Sequence, residues 1–266
     1  FKWWRQRFEQ MSNYFDAFRI DHILGFFRIW SIPMHAVEGI LGYFVPALPV
    51  HISEFGQRGM WFDYARLCRP FITDAVLRDL MGDDAEWLMP YLEATGNGYQ
   101  LKEAFNTQRK VEAFFDTLEA KPDHNRIRQA LYDLISNVIL FEVEDSQAQQ
   151  FHFRISMMST LSFRYLDDDS KQKLEDLYVN YFFRRQDLFW KKEAMNKLPA
   201  LKRSTNMLIC GEDLGMVPDC VPDVMKQLGL LSLEIQRMPK DPKRRFFHPA
   251  DAVSYTHLTL PTNREV

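Results

Sequence analysis

The sequence predicts an α/β fold, a partial (β/α)8 TIM barrel interrupted by a large, mostly helical insertion. Three observations predict it. Ala17-Phe18-Arg19-Ile20 is a short, mainly apolar run that ends on Asp21-His22, and Asn206-Met207-Leu208-Ile209-Cys210-Gly211 is a second that ends on Glu212-Asp213. Buried parallel strands read as short continuous apolar runs, and barrel strands present polar groups at their C-terminal ends. Between the two runs, from about Asp63 to Leu198, apolar residues recur at spacings of three and four, which is the helical period.

In chain order, Trp4, Phe8, Met11 and Phe15 space out an amphipathic helix over residues 1–16. The first strand follows, then Gly25 to Pro33, where Pro33 closes off any helix. Thr73–Leu80, Leu101–Phe115, Ile127–Ile139 and Ser170–Trp190 read as helices, with Gly96-Asn97-Gly98 as a turn between the first two. Strand-like text is scarce in this block, Phe151–Ile155 being its best candidate. After the second acidic strand, a helix from about Asp219 to Gln227 stops at Gly229, and Leu231–Ile235 alternates as a further strand. The expected division is a barrel segment with the first acid (1–60), the helical insertion (61–200), a barrel segment with the second acid (201–252) and a tail (253–266).

Composition narrows the function classes. The chain has 266 residues, 46% of them hydrophobic, enough to pack a core and one or two domains. Its net charge of -3 mixes 33 basic with 36 acidic residues and forms no basic stripe, so nucleic acid is set aside. No run reaches the roughly 18–20 apolar residues that a membrane span requires. Phe1-Lys2-Trp3-Trp4-Arg5 lacks an initiator Met and a signal-peptide layout, and reads as the inside of a larger protein. Cys68, Cys210 and Cys220 form no CxxC pair, which points away from zinc and disulfides and toward a reducing cytoplasm.

Two carboxylates on strand ends can transfer a sugar with retention when they lie about 5 Å apart. One attacks the anomeric carbon as an anion, and the other protonates the leaving oxygen. Arg19 lies two residues before Asp21, hence on the same strand face, where a guanidinium favours the ionised aspartate. Glu212 can face a cleft while its neighbour Asp213 turns away, and an acid there needs its proton held by burial or by repulsion from Asp21. Structural readings compete with each of these. Arg19 and Asp21 could be a structural ion pair, and Asp213 could cap the turn at Leu214-Gly215. His22 could bond a sugar hydroxyl or the backbone. Trp3, Trp4, Trp30 and Trp61 could form a sugar-stacking surface or a core.

Phe18-Arg19-Ile20-Asp21-His22, Gly25-Phe26 and Trp30-Ser31-Ile32-Pro33 resemble the amylomaltase pattern R-I-D-H-x-x-G-F-x-x-x-W-x-I-P. Gly211-Glu212-Asp213-Leu214-Gly215-Met216-Val217-Pro218 resembles a second segment of the same family, the 4-alpha-glucanotransferases of glycoside hydrolase family 77. The resemblance implies a TIM barrel, Asp21 as nucleophile, Glu212 as acid/base, and Arg19, His22 and Trp30 as substrate contacts. It implies no metal or other cofactor. The 190 residues between Asp21 and Glu212 resemble the insertion-bearing, maltose-using branch, as do Leu198-Pro199-Ala200-Leu201 and Leu233 to Pro239. The implied reaction is a retaining transfer of alpha-1,4-glucosyl or glucan units from maltose or malto-oligosaccharides to glycogen- or starch-like acceptors. An alpha-amylase-clan hydrolase and a non-enzymatic helical interaction module are the alternatives.

Two departures qualify this expectation. The family's barrel begins upstream of the R-I-D-H strand, and its third catalytic carboxylate lies in a T-H-D segment after H-P-A-D-A. Here His248-Pro249-Ala250-Asp251-Ala252 matches the run-up, but Thr256-His257-Leu258 has Leu in place of Asp. Residues 253–266 are expected to be a non-native, out-of-frame or adaptor-derived tail, disordered and unpacked, and the chain as it stands is expected to be inactive.

Overall fold

A computed structural model of the chain describes residues 2–119 and 121–235, and beyond them 237, 239, 243–246 and 256–257. In order, the elements begin with α1 (Lys2–Met11), β1 (Ala17–Ile20), β2 (Ile29–Ser31), β3 (Tyr43–Val45) and β4 (Val50–His51). The helices α2 (Ser53–Gln57), α3 (Tyr64–Cys68) and α4 (Asp74–Met81) follow, then β5 (Leu92–Thr95) and β6 (Gly98–Leu101). Next come α5 (Gln108–Phe115), α6 (Pro122–Ile135), β7 (Leu140–Glu142), β8 (Gln150–Phe153), α7 (Leu161–Arg164) and α8 (Asp168–Val179). The series ends with α9 (Gln186–Lys202), β9 (Leu208–Gly211), α10 (Cys220–Leu228), β10 (Leu231–Ser232), β11 (Glu234–Ile235) and β12 (Thr256–His257). This is a mixed α/β protein. Among the described residues no helix is long and apolar enough to cross a membrane.

The chain divides into two compact units, residues 1–29 with 183–266, and residues 30–182. The first is organised by a three-stranded parallel sheet of order β1-β9-β10. Arg19 pairs with Cys210 and Ile20 with Gly211, so strands separated by 187 residues of sequence are direct neighbours. Their C-terminal ends lie level. Leu231 and Ser232 of β10 continue the ladder on the far side of β9. Phe8 of α1 packs with Leu201 and Met207, against Phe18 and Phe26.

Among the described residues, two apolar clusters lie within residues 30–182. One gathers Val76, Leu77 and Met81 of α4, Val111 and Phe115 of α5, and Leu131, Leu134 and Ile135 of α6. The other packs Leu174, Leu177 and Tyr178 of α8 onto the antiparallel sheet β4-β8-β7, through Val50, Phe151 and Phe153. Local chemistry starts these helices. Thr73, Thr107 and Asp167 each accept a hydrogen bond from the amide three residues on, and Pro122 opens α6 where its missing N–H is harmless.

Several expectations need correction. Gly96-Asn97 turns a β-hairpin, β5 to β6, instead of joining two helices. The helix expected from Leu101 begins at Gln108, because Leu101 is paired with Leu92 and Thr107 supplies the cap. Strand text is therefore less scarce in the central block than periodicity implied. The expected helix Ser170–Trp190 is α8, six residues of π-helix (Asn180–Arg185) and α9, which runs on to Lys202 across Pro199. Leu231–Ile235 is split at Leu233, whose amide is taken by the Asp213 carboxylate. β1 is half exposed instead of buried, since it forms the edge of its sheet. Trp3, Trp4 and Trp61 are exposed, so they are not core residues.

The run-up His248–Ala252 and most of the expected tail, Leu258 included, lie outside the described residues. Within the tail, Thr256 and His257 pair in parallel with Glu234 and Ile235.

Candidate active site

Asp21 and Glu212 are the residues immediately after the paired ends of β1 and β9. The backbone joins the two ends directly. Glu212 donates its amide to the Ile20 carbonyl (2.9 Å), and Ile23 donates to the Glu212 carbonyl (3.0 Å). The Glu212 side chain completes the lock. Its Oε2 accepts from the His22 amide (3.1 Å), the nitrogen of the peptide bond that Asp21 itself forms, and its Oε1 accepts from the Leu214 amide (2.8 Å). A carboxylate oxygen has two acceptor positions, so each oxygen keeps one for a ligand.

His22 reaches this amide geometry by adopting φ 51°, ψ 58°, the left-handed region that side chains other than glycine rarely occupy. Such a conformation costs about 1–2 kcal/mol and persists only where surrounding contacts enforce it. Here those contacts are the two hydrogen bonds from the His22 and Ile23 amides to Glu212. Arg19 Nη2 donates to Asp21 Oδ1 at 2.7 Å, and the Asp21 side chain is 82% exposed. The Arg–Asp pair expected from the sequence therefore forms, and the aspartate remains open to an incoming molecule.

Asp213 behaves otherwise. The pleat turns it inward, where Oδ2 accepts from Ser232 Oγ (2.6 Å) and Oδ1 from the Leu233 amide (3.0 Å). It is buried and fastens the end of β9 to β10. The expected cap on the Leu214-Gly215 turn comes from Glu212, whose side chain is the one that reaches back to the Leu214 amide.

Arg28 belongs to this constellation although no motif marks it. It is buried, its guanidinium lies 4.7 Å from the Trp190 ring centre, and Nη2 donates to the Met216 carbonyl. Burial pulls its pKa down to about 10, so it stays charged at neutral pH while holding the loop that follows Glu212. The signal available in the sequence was a single cation inside the apolar run Gly25 to Trp30.

Trp30 lies in the unit of residues 30–182. Its indole N–H donates to the Gly39 carbonyl (2.9 Å), and its ring meets Phe44 edge to face at 4.7 Å. Gly42 makes room for that ring, because a Cβ there would overlap it. The three cysteines are free thiols; burial, reinforced by Glu142 for Cys68 and Asp187 for Cys220, pushes both to about 12, away from thiolate chemistry. Among the described residues no group of three or more His, Cys, Asp or Glu side chains could hold a metal ion.

Fold and site together define a mixed α/β protein with two carboxylates on adjacent parallel strand ends, coupled through the backbone. The chain belongs to the 4-alpha-glucanotransferase family, glycoside hydrolase family 77, whose model it matches over residues 1–263. It is 40% identical over 268 residues to the 4-alpha-glucanotransferase DPE2 of Oryza sativa subsp. japonica, an alignment covering 97% of this chain and 27% of the rice protein. A shorter stretch of 42 residues, 16% of this chain and 7% of the relative, is 43% identical to the chloroplastic/amyloplastic 4-alpha-glucanotransferase of Solanum tuberosum. Another of 28 residues, 10% of this chain and 5% of the relative, is 46% identical to the 4-alpha-glucanotransferase of Chlamydia pneumoniae. The chain thus spans about a quarter of the rice relative's length. No solved structure matches it.

Proposed function

We propose that the protein transfers alpha-1,4-linked glucosyl or glucan units from maltose or malto-oligosaccharides to a glycan acceptor by retaining double displacement. In this reading β1, β9 and β10 are consecutive strands of a TIM barrel, and the block between β1 and β9 is an insertion. A carboxylate oxygen of Asp21 attacks the anomeric carbon, and the glycosidic C–O bond breaks as Glu212 gives its proton to the departing oxygen. Glu212 then removes the proton from an acceptor hydroxyl, whose oxygen displaces Asp21 from the same carbon. Arg19 holds the nucleophile, and His22 and Trp30 are assigned to sugar contacts. Sugar transfer in place of hydrolysis requires that an acceptor occupy the position of water.

The observation that carries this reading is the hydrogen bond from the His22 amide to Glu212 Oε2, which ties the proposed acid/base to the peptide of the proposed nucleophile. The test is product analysis of the full-length protein given maltose and glycogen. Free glucose together with lengthened outer chains is expected. Asp21→Asn should lower transfer at least about a thousandfold and Glu212→Gln about a hundredfold or more. Products that are only shorter than the donor would replace transfer by hydrolysis.

A further inference from the structure

The unit of residues 30–182 contains a pocket that the function proposed above does not use. Exposure alternates along residues 60–63, so the neighbouring rings of Trp61 and Phe62 differ in burial. Phe62 goes inward, 4.9 Å from Phe55 and 4.7 Å from Phe151 between ring centres. Trp61 is 87% exposed and has no ring partner among the described residues. A single exposed indole is ordinary by itself; what singles this one out is the polar pocket that it lines.

Trp61 lines an open pocket of about 280 Å³ together with Asp63, Arg66, Tyr165, Asp167 and Ser170. Both acids are anchored by the fold. Asp63 Oδ1 accepts from the Arg66 amide (3.0 Å) and Asp167 Oδ1 from the Ser170 amide (2.9 Å), so each carboxylate caps a helix and is held in a fixed direction. Arg66 is also fixed, with its guanidinium bonded to Ser162 and lying 3.8 Å from the Phe71 ring centre. A flat apolar face beside preorganised acceptors is complementary to a pyranose. One face of that ring presents C–H groups to the indole, and its rim presents hydroxyl donors to the carboxylates. The lining carries two acids, and its arginine is already engaged by Ser162 and Phe71, which does not suit an anion.

We propose that this cavity is a glucan-binding subsite, taking one glucosyl unit of an alpha-1,4-linked chain with the sugar stacked on Trp61 and its hydroxyls bonded to Asp63 and Asp167. The assignment of the sugar as alpha-glucan rests on the function proposed above; the site itself rests on residues 60–63 and 165–170 alone.

The experiment is affinity electrophoresis of the chain in gels containing glycogen, cellulose-derived beta-glucan or neither, with maltoheptaose titration followed by tryptophan NMR. The Asp21→Asn/Glu212→Gln chain should still be retarded by glycogen. Trp61→Ala on that background should weaken maltoheptaose binding about tenfold or more, with Trp61→Phe intermediate. Trp61 is exposed, so these variants leave the packing intact, which circular dichroism checks. If the doubly substituted chain binds glycogen and Trp61→Ala binds it equally well, the subsite is wrong and the transferase reading stands. If Trp61 governs retardation by beta-glucan but not by glycogen, the site holds a sugar and its assignment as an alpha-glucan site fails. If no glycan is bound by any form, the subsite is overturned, and product analysis of the full-length protein decides the transferase reading separately.

Discussion

Glu212 holds its position by accepting amide hydrogen bonds from two loops, and its partner Asp21 is held by a single guanidinium. That both acids follow strand ends was legible in the sequence, because each directly follows a short apolar run; the roles assigned to them came from the family resemblance. Arg28 and Asp213 were not legible in their roles, since the Met216 carbonyl, the Trp190 ring and the Ser232 hydroxyl are brought to them only by tertiary structure. The same holds for His152. Its ring is buried, stacks on Tyr43 at 4.8 Å, and has Nδ1 2.8 Å from the Tyr181 hydroxyl. Burial lowers its pKa from 6.5 to about 4, so the folded state keeps it neutral where the unfolded chain would protonate it. A depressed folded pKa means that the stabilisation is complete above pH 6.5 and is lost as pH falls toward 4. Between pH 7 and pH 4 the loss should be about 2–3 kcal/mol. Urea unfolding at several pH values checks this: His152→Asn should be less stable at pH 7 but flatter between pH 6.5 and 4. Parallel pH profiles for parent and variant would refute the assignment.

Among the elements, those with both an apolar period and a local stop signal were readable. α10 ends at Gly229, which adopts φ 60° and donates its amide to the Lys226 carbonyl, as the sequence predicts for that glycine. α4 begins at its Thr73 cap. The hairpin β5–β6 escaped because Leu92 to Leu101 is too short and too mixed to show alternation, and because its turn residues serve equally between helices. What specifies it is a close approach that only the fold reveals. Gly98 has φ 141°, a Cβ there would collide with the Ile72 carbonyl oxygen, and that oxygen accepts the Tyr99 amide at 2.9 Å. Gly98→Ala therefore meets both a forbidden torsion and a backbone clash, neither of which a rotamer change can relieve. It should destabilise the unit by at least about 2 kcal/mol. Gly96→Ala, at a position with open space around it, should cost far less. Thermal melts of the two variants test the contrast, and equal melting temperatures would show that the Gly98 approach is not what constrains the turn.

For the whole molecule, the distribution of apolar contacts yields a prediction about independence. Among the described residues, the two apolar clusters of the second unit lie wholly within residues 30–182. The cluster of α4, α5 and α6 and the cluster of α8 on β4-β8-β7 draw their buried members only from within those limits. Polar contacts within the unit join distant parts of its sequence: the Asn137 amide side chain donates to the Phe71 carbonyl (2.7 Å) and accepts the Ser162 amide (2.6 Å). Gln108, fully buried, accepts the Val37 and Glu38 amides with its oxygen (both 2.9 Å) and donates to Glu38 Oε2 at 2.8 Å. A segment of ordinary domain length with its own cores and satisfied buried polar groups has what autonomous folding requires. Excised residues 30–182 should therefore fold alone and unfold in one cooperative urea transition, with a stability of at least about 5 kcal/mol. Gln108→Leu within the excised segment should lower that figure by about 2–3 kcal/mol, because it strands the Val37 and Glu38 amides in the interior. Urea titration followed by circular dichroism and tryptophan fluorescence measures both. A broad, probe-dependent transition would mean that the segment depends on residues outside 30–182 for its native packing.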